Sequence, residues 1–101
     1  SVPTPFTAVI HGPIQNPSLS SAGWEISLET SLLDGQSVTI DTRTMTVKRN
    51  DGRSLGGTLT RNSILEDAAL RPGNREIIFS GVDTMGLAYA EVRWSPAYLG
   101  Y

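Results

Sequence analysis

The sequence is poor in the residues on which several classes of functional site depend. None of its 101 residues is a cysteine, which excludes disulfides, thiolate metal sites and a cysteine nucleophile. Its single histidine, His11, leaves little material for acid–base catalysis. Eight basic residues against ten acidic ones argue against a surface that binds nucleic acid. No apolar run approaches the roughly 18 residues that a membrane-spanning helix needs. These shortages predict a protein that is not an enzyme, needs no cofactor and does not insert into a membrane.

Turn-forming residues, by contrast, are plentiful. Ten glycines and six prolines separate short segments, and no stretch keeps helical periodicity for three turns. The segments follow one another about every 8–12 residues, which is typical of all-β sandwiches. The length is that of one domain. We therefore predict a single domain over residues 1–101, folded as a two-sheet antiparallel β-sandwich of six to eight strands.

The alternation of apolar and polar side chains locates most of these strands. Strands are predicted at 6–11, 24–29, 77–79 and 88–94, and a hairpin is predicted over 37–48. Asn16-Pro17 followed by three serines predicts a loop, and the segment from Gly81 to Gly86 predicts another. A capping-box pattern that begins at Ser63 predicts a short helix over residues 64–69.

The hairpin gives the clearest indication of which side chains point inward. Val38, Ile40, Met45 and Val47 alternate with hydroxyl and charged residues, so these four are expected to face the core. The threonine-rich face is expected to meet water or a partner. Over the whole chain the predicted core consists of Ile10, Trp24, Ile26, Leu28, Val38, Ile40, Val47, Leu70, Ile77, Phe79, Val92 and Trp94.

Few residues are candidates for catalysis or metal binding. His11 ends a predicted strand and would need a nucleophile or a carboxylate partner nearby in the fold to take part in catalysis. No Gly-x-Ser-x-Gly pattern accompanies it, so a structural role is favoured. The aspartates fall mostly in or beside predicted turns, where this side chain commonly bonds its own backbone. We therefore predict no catalytic residues and no metal site.

Aromatic side chains are the remaining candidates, because sugar-binding sandwiches stack sugar rings on exposed aromatic residues. Trp24 and Trp94 alternate with polar residues and are expected in the core. Tyr98 follows Pro96 and is expected near the surface, where it would bind a ligand or dock on its own domain or a neighbouring subunit. A bound glycan would stack on Tyr98, on Trp94 if that ring is exposed, or on another exposed ring, so Trp94 and Tyr98 are the named candidate ligand-binding residues.

The order of the turn motifs resembles a known family. The motifs are Ile10-His11-Gly12-Pro13-Ile14-Gln15-Asn16-Pro17, Gly23-Trp24-Glu25-Ile26, Gly35-Gln36-Ser37-Val38-Thr39-Ile40-Asp41-Thr42, Asn50-Asp51-Gly52, Leu70-Arg71-Pro72-Gly73-Asn74, Ile77-Ile78-Phe79 and Ala90-Glu91-Val92-Arg93-Trp94, with Tyr98 after them. This succession is similar to the C-terminal domain of siphophage distal tail proteins and related phage or prophage minor tail proteins. The resemblance extends from about Thr7 to Tyr98.

The resemblance implies both a fold and a setting. Domains of this family are jelly-roll-like β-sandwiches similar to galectins and carbohydrate-binding modules. They decorate a tail-tip ring that an N-terminal domain builds, so this chain is expected to be the C-terminal domain of a longer tail protein. The implied function is that of a structural and interaction domain of the tail tip. The implied partners are other tail or baseplate proteins, and the implied location is the virion, after assembly in the bacterial cytoplasm. The alternative is a carbohydrate-binding module that recognises host-surface glycan.

Overall fold

The computed structural model describes residues 5–21, 23–61, 63 and 77–94. Eight strands lie within these residues, at the upper end of the predicted number. They are β1 (Phe6–His11), β2 (Ile14–Ser21), β3 (Trp24–Ser27), β4 (Ser31–Leu32), β5 (Ser37–Asp41), β6 (Thr46–Arg49), β7 (Ile78–Val82) and β8 (Tyr89–Trp94). A 3-10 turn, Gly56–Thr58, follows β6. The predicted helix over 64–69 lies outside the described residues.

The strands form two antiparallel sheets, which confirms the predicted β-sandwich. The first sheet has the order β6-β5-β1-β8. In the second sheet β2 is central, with β7 along one edge and β3 followed by β4 along the other. The chain passes from the first sheet to the second at Gly12, because β1 and β2 belong to different sheets. Gly12 allows this crossing because an added Cβ would lie only 2.7 Å from the carbonyl oxygen of Leu33.

The core lies between the inner faces of the two sheets. Its buried apolar residues are Phe6, Ala8, Ile10, Ile14, Leu19, Trp24, Ile26, Leu28, Leu32, Val38, Ile40, Val47 and Leu55. Seven predicted core residues are therefore confirmed as buried, from Ile10 to Val47. Ile77, Phe79 and Val92 are partly buried against this cluster. Leu70 and the side chain of Trp94 lie outside the described residues.

The loop predicted after Asn16 is wrong, because residues 16–21 belong to β2. Asn16 adopts a positive φ of 50°, and the register between β2 and β7 shifts between Gln15 and Ser18. This irregularity lets Pro17 lie within a strand although it has no N–H to donate. Pro17 is fully buried, and its carbonyl accepts a hydrogen bond from Leu28 N–H at 3.0 Å.

Two further predictions are wrong at residues with a positive φ. Met45 does not face the core: it has a positive φ of 58° between β5 and β6 and is exposed. The segment after Phe79 is not a loop from Gly81 onward, because β7 continues through Gly81 and Val82. Gly81 has a φ of 150°, and an added Cβ would lie 2.6 Å from Ile14 Cδ1. The glycine therefore permits a close approach of two strands, which a sequence pattern does not distinguish from a turn.

The predicted turn at Asn50-Asp51-Gly52 is confirmed and is held by charge. Arg49 donates from Nε to Asp51 Oδ1 at 3.0 Å and from Nη2 to Oδ2, and the backbone N–H of Arg53 donates to Oδ1 at 3.1 Å. The hydrogen bonds from Arg49, and then the one from Arg53, lower the pKa of Asp51 to about 2. Asp51 therefore keeps its charge, and the turn its bonds, at all but strongly acid pH.

A buried hydroxyl joins the end of β5 to the start of β1. Thr42 Oγ1 accepts a hydrogen bond from Phe6 N–H at 2.8 Å and donates one to the Phe6 carbonyl at 3.0 Å. The Thr42 N–H donates to the same carbonyl at 3.0 Å. Both residues are buried, so water does not replace these bonds if the hydroxyl is removed.

Thr42→Val is therefore expected to destabilise the fold by about 1–3 kcal/mol, because it leaves the buried Phe6 N–H without an acceptor. Thr42→Ser keeps the hydroxyl and is the control. The measurement is the free energy of unfolding in urea. Equal stability of the valine and serine variants would show that the hydroxyl contributes nothing.

The two faces of β5 give a second test. Ile40 is fully buried and Thr39 is half-buried on the opposite face. Ile40→Ala is expected to cost about 2–5 kcal/mol because it leaves a cavity in the core. Thr39→Ser is expected to cost less than about 1 kcal/mol. Thermal and urea unfolding of both variants checks this, and equal losses would contradict the assignment of faces.

Candidate binding site

An exposed aromatic residue lies on the outer face of the first sheet. Tyr89 of β8 is the cross-strand partner of His11 on β1, and the two rings stack with centroids 4.2 Å apart and planes at 14°. Tyr89 is nevertheless 52% exposed. The histidine thus covers one side of the tyrosine ring while the rest of the residue remains accessible.

Two charged residues continue this surface along β8. Glu91 Oε1 lies 2.9 Å from His11 Nε2, and Glu91 Oε2 lies 3.6 Å from a guanidinium nitrogen of Arg93. The Arg93 side chain is 80% exposed. We call the set His11, Tyr89, Glu91 and Arg93 the Tyr89 platform. His11 has the carboxylate neighbour that catalysis would require, yet no serine hydroxyl among the described residues hydrogen-bonds to it.

A second surface begins on the outer face of β7. Ile78 and Val82 of this strand, and Met85 and Leu87 of the loop that follows, are each more than half exposed. We call these four residues the apolar strip. None of the residues from Ile78 to Val82 carries a charge. These exposed side chains lie within ten residues of one another along the chain, and large exposed apolar surfaces mark interaction sites.

The loop that carries half of the apolar strip is ordered by its own aspartate. Asp83 Oδ1 accepts a hydrogen bond from Gly86 N–H at 2.9 Å, and Oδ2 accepts one from Ala88 N–H at 3.0 Å. Both carboxylate oxygens therefore bond the loop backbone. As a result the loop holds Met85 and Leu87 in solvent-exposed positions.

A small open pocket lies beside Val82. It has a volume of about 160 Å³ and is lined by Pro13, Ile14, Gln15, Ser31, Leu32, Leu33, Val82 and Thr84. Leu33 is itself exposed. The pocket therefore extends the apolar strip from the edge of β7 toward the end of β4.

The residues predicted to bind a ligand are only partly within the described chain. The backbone of Trp94 ends β8 opposite Phe6, whereas its side chain and the whole of Tyr98 lie outside the described residues. Trp24 is buried, with its ring 5.3 Å from that of Phe6, as predicted for a core residue. The sequence-based list of candidate ligand-binding residues, Trp94 and Tyr98, does not include Tyr89.

The alternation within β8 contained the missing information. Since Ala88, Ala90 and Val92 face the core, Tyr89 and Glu91 must face outward. The pairing of β1 with β8 brings His11 to them, but the two strands are almost a chain length apart in sequence. No local pattern indicates such a pairing.

The aspartates serve turns, as predicted, wherever the structure gives their bonds. Asp41, Asp51 and Asp83 each accept hydrogen bonds from backbone N–H groups two to five residues later. In the part of the chain that the structure describes, no group of three or more histidine, aspartate or glutamate side chains is placed to hold a metal ion. The same part contains no helix long and apolar enough to span a membrane.

Comparisons with known proteins leave the function to be argued from these surfaces. No protein-family model, no curated protein and no solved structure matches the chain. The Tyr89 platform and the apolar strip, together with the order of the sequence motifs, are therefore the basis for a proposal.

Asp83→Ala is expected to loosen the loop that carries Met85 and Leu87, because the Gly86 and Ala88 amides lose their acceptor. We expect faster hydrogen exchange at these two amides, with the core amides unchanged. Asp34→Ala, at the exposed turn before β5, is the control. Unchanged exchange at Gly86 and Ala88 would show that the carboxylate does not order the loop.

Proposed function

We propose that this chain is a structural and interaction domain of a phage or prophage tail tip, similar to a baseplate component of the distal tail protein type. Its partners are other tail or baseplate proteins, in a virion assembled in the bacterial cytoplasm. The observation that carries the proposal is the apolar strip of Ile78, Val82, Met85 and Leu87. The order of the turn motifs along the chain and the β-sandwich fold support it.

The side chains of the apolar strip gain free energy when a partner removes them from water. Burying one large apolar side chain from full exposure contributes roughly 1.5–3 kcal/mol, and these side chains, which are 52–63% exposed, can contribute about half of that each. Asp83 is the charged residue of this loop. Because its carboxylate accepts hydrogen bonds from the loop backbone, it keeps these bonds when a partner covers Met85 and Leu87. The surface therefore suits an apolar patch on a neighbouring tail protein.

The test is the double variant Met85→Ser with Leu87→Ser. We expect its affinity for the partner among the proteins encoded by the neighbouring tail genes to fall about tenfold or more. The measurement is titration calorimetry with each purified neighbour. Met45→Ser is the control, because Met45 is also an exposed methionine, at 45% against 63% for Met85, but lies at the turn between β5 and β6.

Two results would contradict the proposal. One is that no protein encoded beside this chain binds it. The other is that gold-labelled antibody against this domain fails to mark the tail tip of the particle. Binding that persists in the double variant would instead reject the apolar strip as the contact surface.

A second candidate function, a carbohydrate-binding module for host-surface glycan, is favoured by a specific observation. The Tyr89 platform combines an exposed aromatic ring with a carboxylate and a guanidinium on one face of a sheet. Such groups stack on and hydrogen-bond to sugars. The residues that would bind glycan are then His11, Tyr89, Glu91 and Arg93.

A further inference from the structure

We infer that the Tyr89 platform binds a neutral pyranose sugar, with the sugar ring against Tyr89 and two adjacent hydroxyls on Glu91 and Arg93. This inference rests on the second candidate function and assigns it a site and a ligand class. It does not depend on the apolar strip, which lies on β7 and the loop after it.

Tyr89 provides an aromatic surface on which a sugar ring can pack. A pyranose presents a face of C–H groups, which packs against an aromatic ring and is thereby removed from water. Tyr89 offers such a ring in a fixed orientation, because His11 stacks on it at 4.2 Å. A side chain that is already held in place loses less conformational entropy when a ligand binds.

Glu91 and Arg93 provide a pair of charged groups beside the Tyr89 ring. Glu91 accepts hydrogen bonds and Arg93 donates them, and the nearest oxygen and nitrogen of the two are 3.6 Å apart. Adjacent sugar hydroxyls each donate and accept, so one can donate to Glu91 while its neighbour accepts from Arg93. Tyr89, Glu91 and Arg93 alternate along β8 and therefore share a face, about 7 Å apart in succession.

Charges of both signs lie on the outer face of the first sheet, and this mixture favours a neutral ligand. Asp41 and Lys48 lie on the same face of the sheet as Arg93 and Glu91. In the strand register Asp41 is in the same row across the sheet as Arg93, and Lys48 is in the same row as Glu91. Positive and negative groups therefore alternate, and no cluster of one sign exists among them. A phosphate or carboxylate ligand would be attracted by Arg93 but repelled by Glu91 only 3.6 Å away, so its charge gains little, whereas a neutral ligand can bond to both groups.

The experiment is an NMR titration of the isotopically labelled chain with the methyl glycosides of glucose, galactose and N-acetylglucosamine. We expect at least one of them to shift the amides of His11, Tyr89 and Glu91 but not those of β3. Tyr89→Ala is expected to abolish the shifts, whereas Tyr89→Phe keeps the ring and is expected to retain them. Glu91→Gln is expected to weaken binding about tenfold or more.

Glu25→Gln is the matched control, because Glu25 is an exposed carboxylate on the other sheet. It is expected to leave the affinity unchanged, and the melting temperature of every variant shows that it is folded. No shift with any glycoside, or shifts that survive Tyr89→Ala, would overturn the inference. Binding of glycerol phosphate alone would also overturn it, while leaving the second candidate function open for anionic cell-wall polymers. None of these results bears on the tail-tip proposal, which calorimetry with the neighbouring tail proteins tests separately.

Discussion

The pairing of β1 with strands on both of its sides is the constraint on which the rest of the molecule depends. β1 pairs with β8 over its full length and with β5 over five residues. Its inward residues, Phe6, Ala8 and Ile10, are buried, and its outward residue His11 builds the Tyr89 platform. Because side chains alternate, a slip of one residue would exchange the core face for the surface face. The hydrogen bonds between Thr42 and Phe6 hold the start of β1 beside the end of β5 and thereby help to fix this register.

The edge strands of the two sheets differ in their backbone pairing and in the charges that they carry. The backbone around Ser54 pairs with β6, and the segment around Leu59 pairs with the end of β3. β8 carries Glu91 and Arg93, and charges on an edge strand discourage pairing with other chains. Within the described residues, β7 has β2 as its strand partner and carries no charge. Among the described residues, the edge formed by β7 is therefore both free of charge and the one that bears the apolar strip.

Much of the fold was predictable from the sequence because most inward positions follow a simple alternation. Val38, Ile40 and Val47 follow this alternation and are buried as predicted. The pattern failed where the backbone departs from regular geometry: Pro17 lies in an irregular strand and Met45 in a turn. Alternation takes no account of either departure. The Tyr89 platform could not be predicted from the sequence for a different reason, because it forms through pairing between distant segments of the chain.

That distant pairing has a consequence for how the platform comes into being. His11 and Glu91, which hydrogen-bond to each other, are separated by 80 positions along the chain. Contacts between distant positions form slowly, because the entropy of closing a long loop is lost before the contacts are made. The hairpin of β5 and β6 needs no such closure. The Tyr89 platform thus depends on one of the longest-range contacts of the fold, so a chain in which β8 has not docked presents a formed hairpin but no platform.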